Sequence, residues 1–454
     1  MFFQRQAVLF TGFLASLPSL ASAQAVFAHV IVGNTQSYDI NQWESDIRLA
    51  ASYGIDGFAL NIAEPWNNDG TATQMSYAFQ AANNLRGSLP LDFKMFFSFD
   101  YLGGPNGING GWSTGDLVQI LNAYGPNGAY YHYQNRPFVS TFEGPQDSDI
   151  NQWRDVRNQV NGGIYFVPDW TSKGPNGFDY SLIDGFFSWD MWPNGPKDVN
   201  TDSDIAWKNS LGSKSYMMGV SPWFFTDLPG YNKAWVWRGD NAWWKRWTQV
   251  NQILPAQVEI VTWNDFGESH YIGPIYNNGI PSGSNTNAHA YVDGYPHQAW
   301  LESLPYQIAS YKHAYNGNNP APTVSADKIV YWFRTSPADA GSTDATGNDC
   351  KSSVNTGGYQ QCYPIDQILE DEVFAIVLSA NGGSSSIQIG NNSPQSFNVN
   401  KGINFISKPF NGQTGPVTVK HGSASATGQA ITSQPANGKA NFNAWVGCAG
   451  ACLH

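Results

Sequence analysis

The chain has 454 residues with a net charge of −12, aromatic residues at 15% and charged residues at only 13%. Such length suits one large α/β barrel with an appended module, and such a negative balance disfavours phosphate-rich partners, so nucleic acid and anionic membrane surfaces are excluded as partners. Sixteen of the 18 tryptophans lie before residue 320, a density that suggests ring faces lining a groove, since tryptophan is amphipathic and rarely fully buried.

The first element is a leader. Residues 1–23 carry one positive charge at Arg5, an apolar run from Ala7 to Leu17, and the small-x-small ending Ala21-Ser22-Ala23, the pattern of a secretory signal peptide cleaved after Ala23. A membrane anchor is the alternative, but the run falls well short of the roughly 18 residues a span needs. Secretion favours disulfides over metal or redox use of the four cysteines. The pairs nearest in sequence are Cys350 with Cys362 and Cys448 with Cys452, although three connectivities are formally open. The spacings of zinc modules are missing, so a metal site is not expected.

Eight short apolar or aromatic runs follow, at 26–33, 57–62, 94–100, 137–144, 164–170, 185–192, 216–225 and 258–268. The intervals between them have room for helices. In the first, Ile40, Trp43, Ile47 and Leu49-Ala50 recur at helical spacing, Asp39 can cap and Gly54 ends the pattern. Further helices are predicted over 72–86, 114–124, 148–160, 201–211, 240–253 and 296–315. Strand then helix, repeated eight times, reads as an α/β fold, a (β/α)8 TIM barrel over 24–319. A doubly wound open sheet is the alternative, but its Gly-rich dinucleotide fingerprint is absent after the first strand. Near residues 316–324, Pro320 and Pro322 break the last helix, and short alternating strands between Gly, Ser and Asn turns predict an antiparallel β-sandwich over 320–454, docked on the barrel without a long linker.

In a parallel barrel every strand delivers its C-terminal end to one rim, where sites are built. The strand ends here carry Asp100, Glu143, Asp169, Asp190, Asp265 and Glu268. A lone Asp at a strand end often caps the next helix. Six carboxylates on one rim would repel one another and raise each other's pKa, so the cluster points to hydroxyl-rich ligands or to developing positive charge. Glycoside hydrolysis fits: it needs one protonated carboxyl to donate to the leaving oxygen and one carboxylate to activate water or attack carbon. Asp265 and Glu268, with Gly267 between them to let the chain turn, are the candidate pair, and three residues span at most about 10 Å, which leaves the stereochemistry open. His29, on the first strand, and His270, beside the pair, are candidate substrate contacts. The segment at 219–223 lacks the second glycine of a nucleophile elbow, and no His-Glu-x-x-His or phosphate-cradling loop is present.

The opening "AHVIVGNTQSYDINQWESDIRLAASYGIDGFALNI" and the later "TWNDFGESHYIGP" resemble the fungal family 71 glycoside hydrolases, the endo-acting α-1,3-glucanases also called mutanases. The resemblance implies a secreted, extracellular and monomeric enzyme, without a cofactor, whose partner is a polysaccharide, the α-1,3-glucan of fungal walls or bacterial mutan. It implies inversion at the anomeric carbon by Asp265 and Glu268, with Glu268 as general acid and Asp265 as general base. Asp100, Glu143, Asp169 and Asp190 would then hold sugar hydroxyls, with Trp192, Trp223 and Tyr295 as ring platforms. A β-glucanase or chitinase on the same barrel, or a wall-binding lectin, are the alternatives.

Overall fold

A computed structural model of the chain describes residues 24–67, 70–103, 111–144, 146–231, 233–283, 286–342 and 363–453. The leader 1–23 and the Cys350–Cys362 pair lie outside the described residues.

Eight parallel segments carry the first part of the chain: β1 (Ala25–Ile31), β2 (Gly57–Ala63), β3 (Lys94–Asp100), β4 (Arg136–Phe142), β5 (Tyr165–Phe166), β6 (Gly185–Ser188), β7 (Ser215–Val220) and β8 (Gln257–Ile260). Their pairings run β4-β3-β2-β1-β8-β7-β6, with β5 on β4. Single parallel bridges from Asp169 to Phe142 and to Phe187 extend β5 and link it to β6. The strands are near-continuous apolar runs buried along most of their length, as parallel strands covered on both faces must be. The sheet is curled: Phe27 on β1 stacks 6.5 Å from Phe138 on β4, two strands that are not neighbours, and Phe96 on β3 touches both rings.

The helices follow their signals. In α1 (Ile40–Ser52), the Asp39 side chain accepts from the Gln42 N–H while Gln42 accepts from the Asp39 N–H, a capping box that fixes the first turn. Then come α2 (Thr71–Asn84), α3 (Thr114–Tyr124), α4 (Asp147–Gln159), α5 (Asp202–Leu211), α6 (Ala242–Ile253) and α7 (Leu304–Asn316), the last ended by Gly317 at φ +68.

Two expectations are corrected. Between β5 and β6 only the 3-10 turns Thr171–Lys173 and Tyr180–Leu182 form, because Gly174, Pro175 and Gly177 break any longer helix. The expected strands 185–192 and 258–268 end at Ser188 and Ile260, so Asp190, Asp265 and Glu268 sit in loops beyond the strands.

After α7 the chain builds two antiparallel four-stranded sheets from β9 (Lys328–Phe333), β10 (Glu372–Ser379), β11 (Gly383–Ile389), β12 (Gln395–Val399), β13 (Gly402–Pro409), β14 (Gly415–His421), β15 (Ala424–Ile431) and β16 (Trp445–Gly450), in the orders β13-β10-β9-β16 and β12-β11-β14-β15. Alternation sorts the faces of β9. Ile329, Tyr331 and Phe333 join Ile387, Ile389, Val417 and Val419 of the other sheet in one core, while Val330 and Trp332 join the core of the parallel sheet. Cys448 and Cys452 form a disulfide. Among the described residues no helix is long and apolar enough to cross a membrane.

Candidate active site

The loop after β8 is tied down by its own backbone before any side chain acts. The Val261 N–H continues the pairing to Val220, and the Trp263 N–H donates to His29 on β1. Thr262 and His270 face each other across the base of the loop, with the Thr262 N–H donating to the His270 carbonyl and the Ile272 N–H to the Thr262 carbonyl. Asn264 brackets Ile31 from both sides, accepting from its N–H at 2.8 Å and donating to its carbonyl at 3.1 Å. Trp263 reaches back to buried Asp46 on α1 at 3.0 Å. The turn does not use Gly267 as expected: the left-handed position is Ser269, at φ +59. Gly273 is required for a different reason, since a Cβ there would meet the Trp263 ring at 2.6 Å.

This frame holds Asp265 and Glu268 with oxygen atoms within 4.8 Å of each other and of a His270 nitrogen. The Asp265 N–H donates to Thr262 Oγ1 at 2.8 Å, which leaves the Thr262 hydroxyl hydrogen free to donate to His270 Nδ1 at 3.1 Å. His270 then carries its own hydrogen on Nε2 and donates it to Glu268 Oε2 at 2.9 Å. Lys233 donates to the other Glu268 oxygen at 2.9 Å. It arrives on a hairpin, Phe225–Leu228 paired with Lys233–Val236, which docks on the loop through the Phe225 N–H and the Glu268 carbonyl.

The electrostatics separate the two acids. Burial pushes Asp265 up, the neighbouring Glu268 charge pushes it further, and His270 and Lys233 offset this only in part. Burial would also raise Glu268, but Lys233 and His270 together hold it well below the ordinary carboxylate range. The two carboxyls are therefore displaced in opposite directions, Asp265 toward holding a proton and Glu268 toward staying ionised. Lys233 is itself pushed up, first by Glu268, then by Asp265 and Asp100, so its charge is secure.

The remaining acids fall into two groups. Asp100, at the end of β3, faces Lys233 and accepts from the Leu102 and Gly103 N–H groups at 2.8 and 2.6 Å. Glu143, Asp169 and Asp190 form a second group. Glu143, at φ +52, accepts from the Ser172 hydroxyl. Asp169 accepts from Thr171 through Oδ1, while its buried Oδ2 has no hydrogen-bond partner. Burial raises Asp169, and the Glu143 charge raises it further. Asp190 accepts from the Ser188, Ser203 and Trp207 side chains, so it ties α5 to the end of β6 without capping that helix, whose N-cap is Thr201.

Among the rings, Trp192 stacks on Trp237 at 4.9 Å and on His270 at 5.6 Å, beside the pair. Trp223 is corrected as a sugar platform: it is 1% exposed and its indole donates to the Phe442 carbonyl, so its ring packs the seam between the parallel sheet and the C-terminal sheets. Tyr295 also lies at that seam, its hydroxyl 2.7 Å from Thr335 Oγ1. His29 is buried against Glu259 at 2.5 Å and touches Trp189, which places it under the site as a support. Sequence reasoning missed Lys233, Thr262 and the half-buried Trp237. The alternation in "KAWVWRGD", a lone lysine opening an aromatic edge strand, was the available signal for two of them.

The family model of glycosyl hydrolase family 71 matches residues 22–452. The chain belongs to family 71. Over 97% of its length this family 71 hydrolase is 34% identical to the glucan endo-1,3-alpha-glucosidase agn1 of Schizosaccharomyces pombe, covering 98% of that protein. It is 32% identical over 86% of its length to a mutanase of Penicillium rubens, covering 80% of that protein. Among solved structures, an endo-alpha-mannosidase of family GH99 from Bacteroides thetaiotaomicron aligns at a TM-score of 0.46 and 13% identity, over 64% of this chain and 98% of that one.

Asp265, Glu268 and His270 have the donor types of a metal site. In this family 71 chain, however, the Lys233 ammonium already stands 2.9 Å from Glu268 and would repel a second cation.

Proposed function

We propose that this chain hydrolyses α-1,3-glucosidic bonds of α-1,3-glucan outside the cell, as a monomer, after removal of residues 1–23. On this reading residues 24–319 work as a closed (β/α)8 barrel, sealed at Asp169, with 320–454 as a docked β-sandwich. Asp265 donates its proton to the glycosidic oxygen. Ionised Glu268 draws the proton from a water that attacks the anomeric carbon with inversion. Lys233 and His270 keep Glu268 ionised, and Asp100 and Glu143 accept from sugar hydroxyls, with Trp192 and Trp237 as the ring wall, while Asp169, fully buried, lies behind Glu143.

The observation that carries this reading is the unequal setting of two adjacent carboxyls, Glu268 held by Lys233 and His270 at 2.9 Å each and Asp265 by a backbone N–H at 3.0 Å, which displaces them in opposite directions as an acid and a base require. The names of the two relatives support the linkage. A second reading is favoured by the spacing. Oxygens within 4.8 Å sit nearer the roughly 5–5.5 Å of retaining enzymes than the roughly 6.5–9.5 Å of inverting ones, and would make Glu268 a nucleophile.

Incubation with linear α-1,3-glucan, β-1,3-glucan and chitin, followed by proton NMR of the fresh digest, tests both. Sugar released from the first alone, with the inverted anomer seen first, is the expected result. Release only from the other two rejects the linkage, and first appearance of the retained anomer selects the second reading. Asp265→Asn and Glu268→Gln should each lose about a thousandfold in kcat with the fold intact.

A further inference from the structure

Where the hairpin meets the C-terminal sheets lies a cavity of about 370 Å³, within the roughly 300–1,000 Å³ of small-molecule sites. Its lining combines amides and hydroxyls, among them Gln429, Thr432, Gln434, Asn437 and Asn441, with the half-buried ring of Tyr295. Its charged side chains, Asp227 and Lys439, pair with each other at 3.2 Å, so the cavity presents no net charge to an ionic ligand. The walls are cross-braced: Gln429 donates to the Gly294 carbonyl at 3.1 Å, the Thr432 N–H to the Thr335 carbonyl, and Tyr295 is fixed through Thr335. Two lining residues also hold the acid-bearing loop, Phe225 through the Glu268 carbonyl and Tyr291 through the Gly267 carbonyl at 2.7 Å.

We propose that this cavity is a second carbohydrate site, which grips a neutral glucan segment away from the bond being cut. Neutral amides, hydroxyls and the rings of Phe225, Tyr291 and Tyr295 match a hydroxyl-rich uncharged ligand better than a phosphate or a carboxylate, which would need an unpaired cation. A segment anchored there raises the local concentration of the same insoluble chain at the acid pair. The proposal rests on the reading of the protein as a glucan hydrolase.

The test uses the full chain. Ala436→Trp fills the cavity, and a double variant, Gln434→Ala with Asn437→Ala, removes polar partners. Each is measured for kcat/KM on a soluble reduced α-1,3-gluco-oligosaccharide, for release from insoluble α-1,3-glucan, and, in an Asp265→Asn background, for retention on that solid. Both should keep the soluble rate within about twofold and lose roughly tenfold in retention and in release from the solid. Unchanged retention with both variants folded to the parental Tm overturns the site. Failure of the substrate reading is distinguishable, because the unmodified chain would then release nothing from either α-1,3-glucan.

Discussion

At Glu268 two donors meet one carboxylate, while at Asp265 the one donor among the described residues is the Glu268 backbone N–H, at 3.0 Å. On the proposed reading that inequality sets which acid stays charged, with Lys233 the larger part of it. Lys233→Met should let burial push Glu268 back up, moving the acidic limb of the kcat profile upward by about 1 to 3 pH units, with the alkaline limb, set by Asp265, moving less. A profile that merely drops in height would place the lysine outside the electrostatics of the pair. That Asp265 and Glu268 stand together on one loop was legible in the sequence because the motif is contiguous. The unequal surroundings of the two acids were not, because the cation beside Glu268 lies 35 residues upstream, on a hairpin between the seventh and eighth parallel segments. Trp223 was misread for the opposite reason: its ring looks available in the sequence, and only the 442 segment, 219 residues on, covers it.

The loop carrying the pair is held to the scaffold by α1, through Asp46. Burial pushes that carboxyl up to about 7 from its ordinary 3.8, while its oxygens accept from Trp263 and Tyr276. The folded state therefore binds more protons than the unfolded one between about pH 4 and 7, so stability is fully present below that window and is lost as pH rises through it. Asp240, raised to about 7 by the same cause, adds a similar slope. Asp46→Asn, which keeps an acceptor for Trp263, should roughly halve the fall in Tm between pH 4 and 7 in thermal unfolding scans. An unchanged slope would show that Asp46 is ionised in the native protein. Elements such as β1 to β4 and α1 were readable because near-continuous apolar runs and a capping box announce themselves locally. The missing helix after β5 was readable too, in Gly174-Pro175 and Gly177, but repetition of the pattern outweighed it.

Across the whole molecule, the first C-terminal sheet has no free face. Its outer residues pack the second sheet, and Trp332, fully buried, packs the parallel-sheet core and donates to the Asp240 carbonyl at 2.7 Å. Arg238 pairs with Glu370 and Lys328 with Glu302 across the same seam. Shared burial of this kind couples the two parts, so calorimetry of the full chain should give a single unfolding transition, and two well-separated transitions would mean that the seam contributes little. The appended sheets were legible from alternation, but not the seam, whose partners are hundreds of residues apart and leave no local pattern.

The central claim, that Asp265 gives the proton and Glu268 stays ionised, is tested most directly with a dinitrophenyl glycoside of an α-1,3-linked glucose oligomer, whose leaving group needs no protonation. Asp265→Asn should hydrolyse it within about tenfold of the parent rate while losing about a thousandfold on the unactivated oligomer, and Glu268→Gln should lose both. Retention of the activated rate by Glu268→Gln, with its loss in Asp265→Asn, would contradict the assignment.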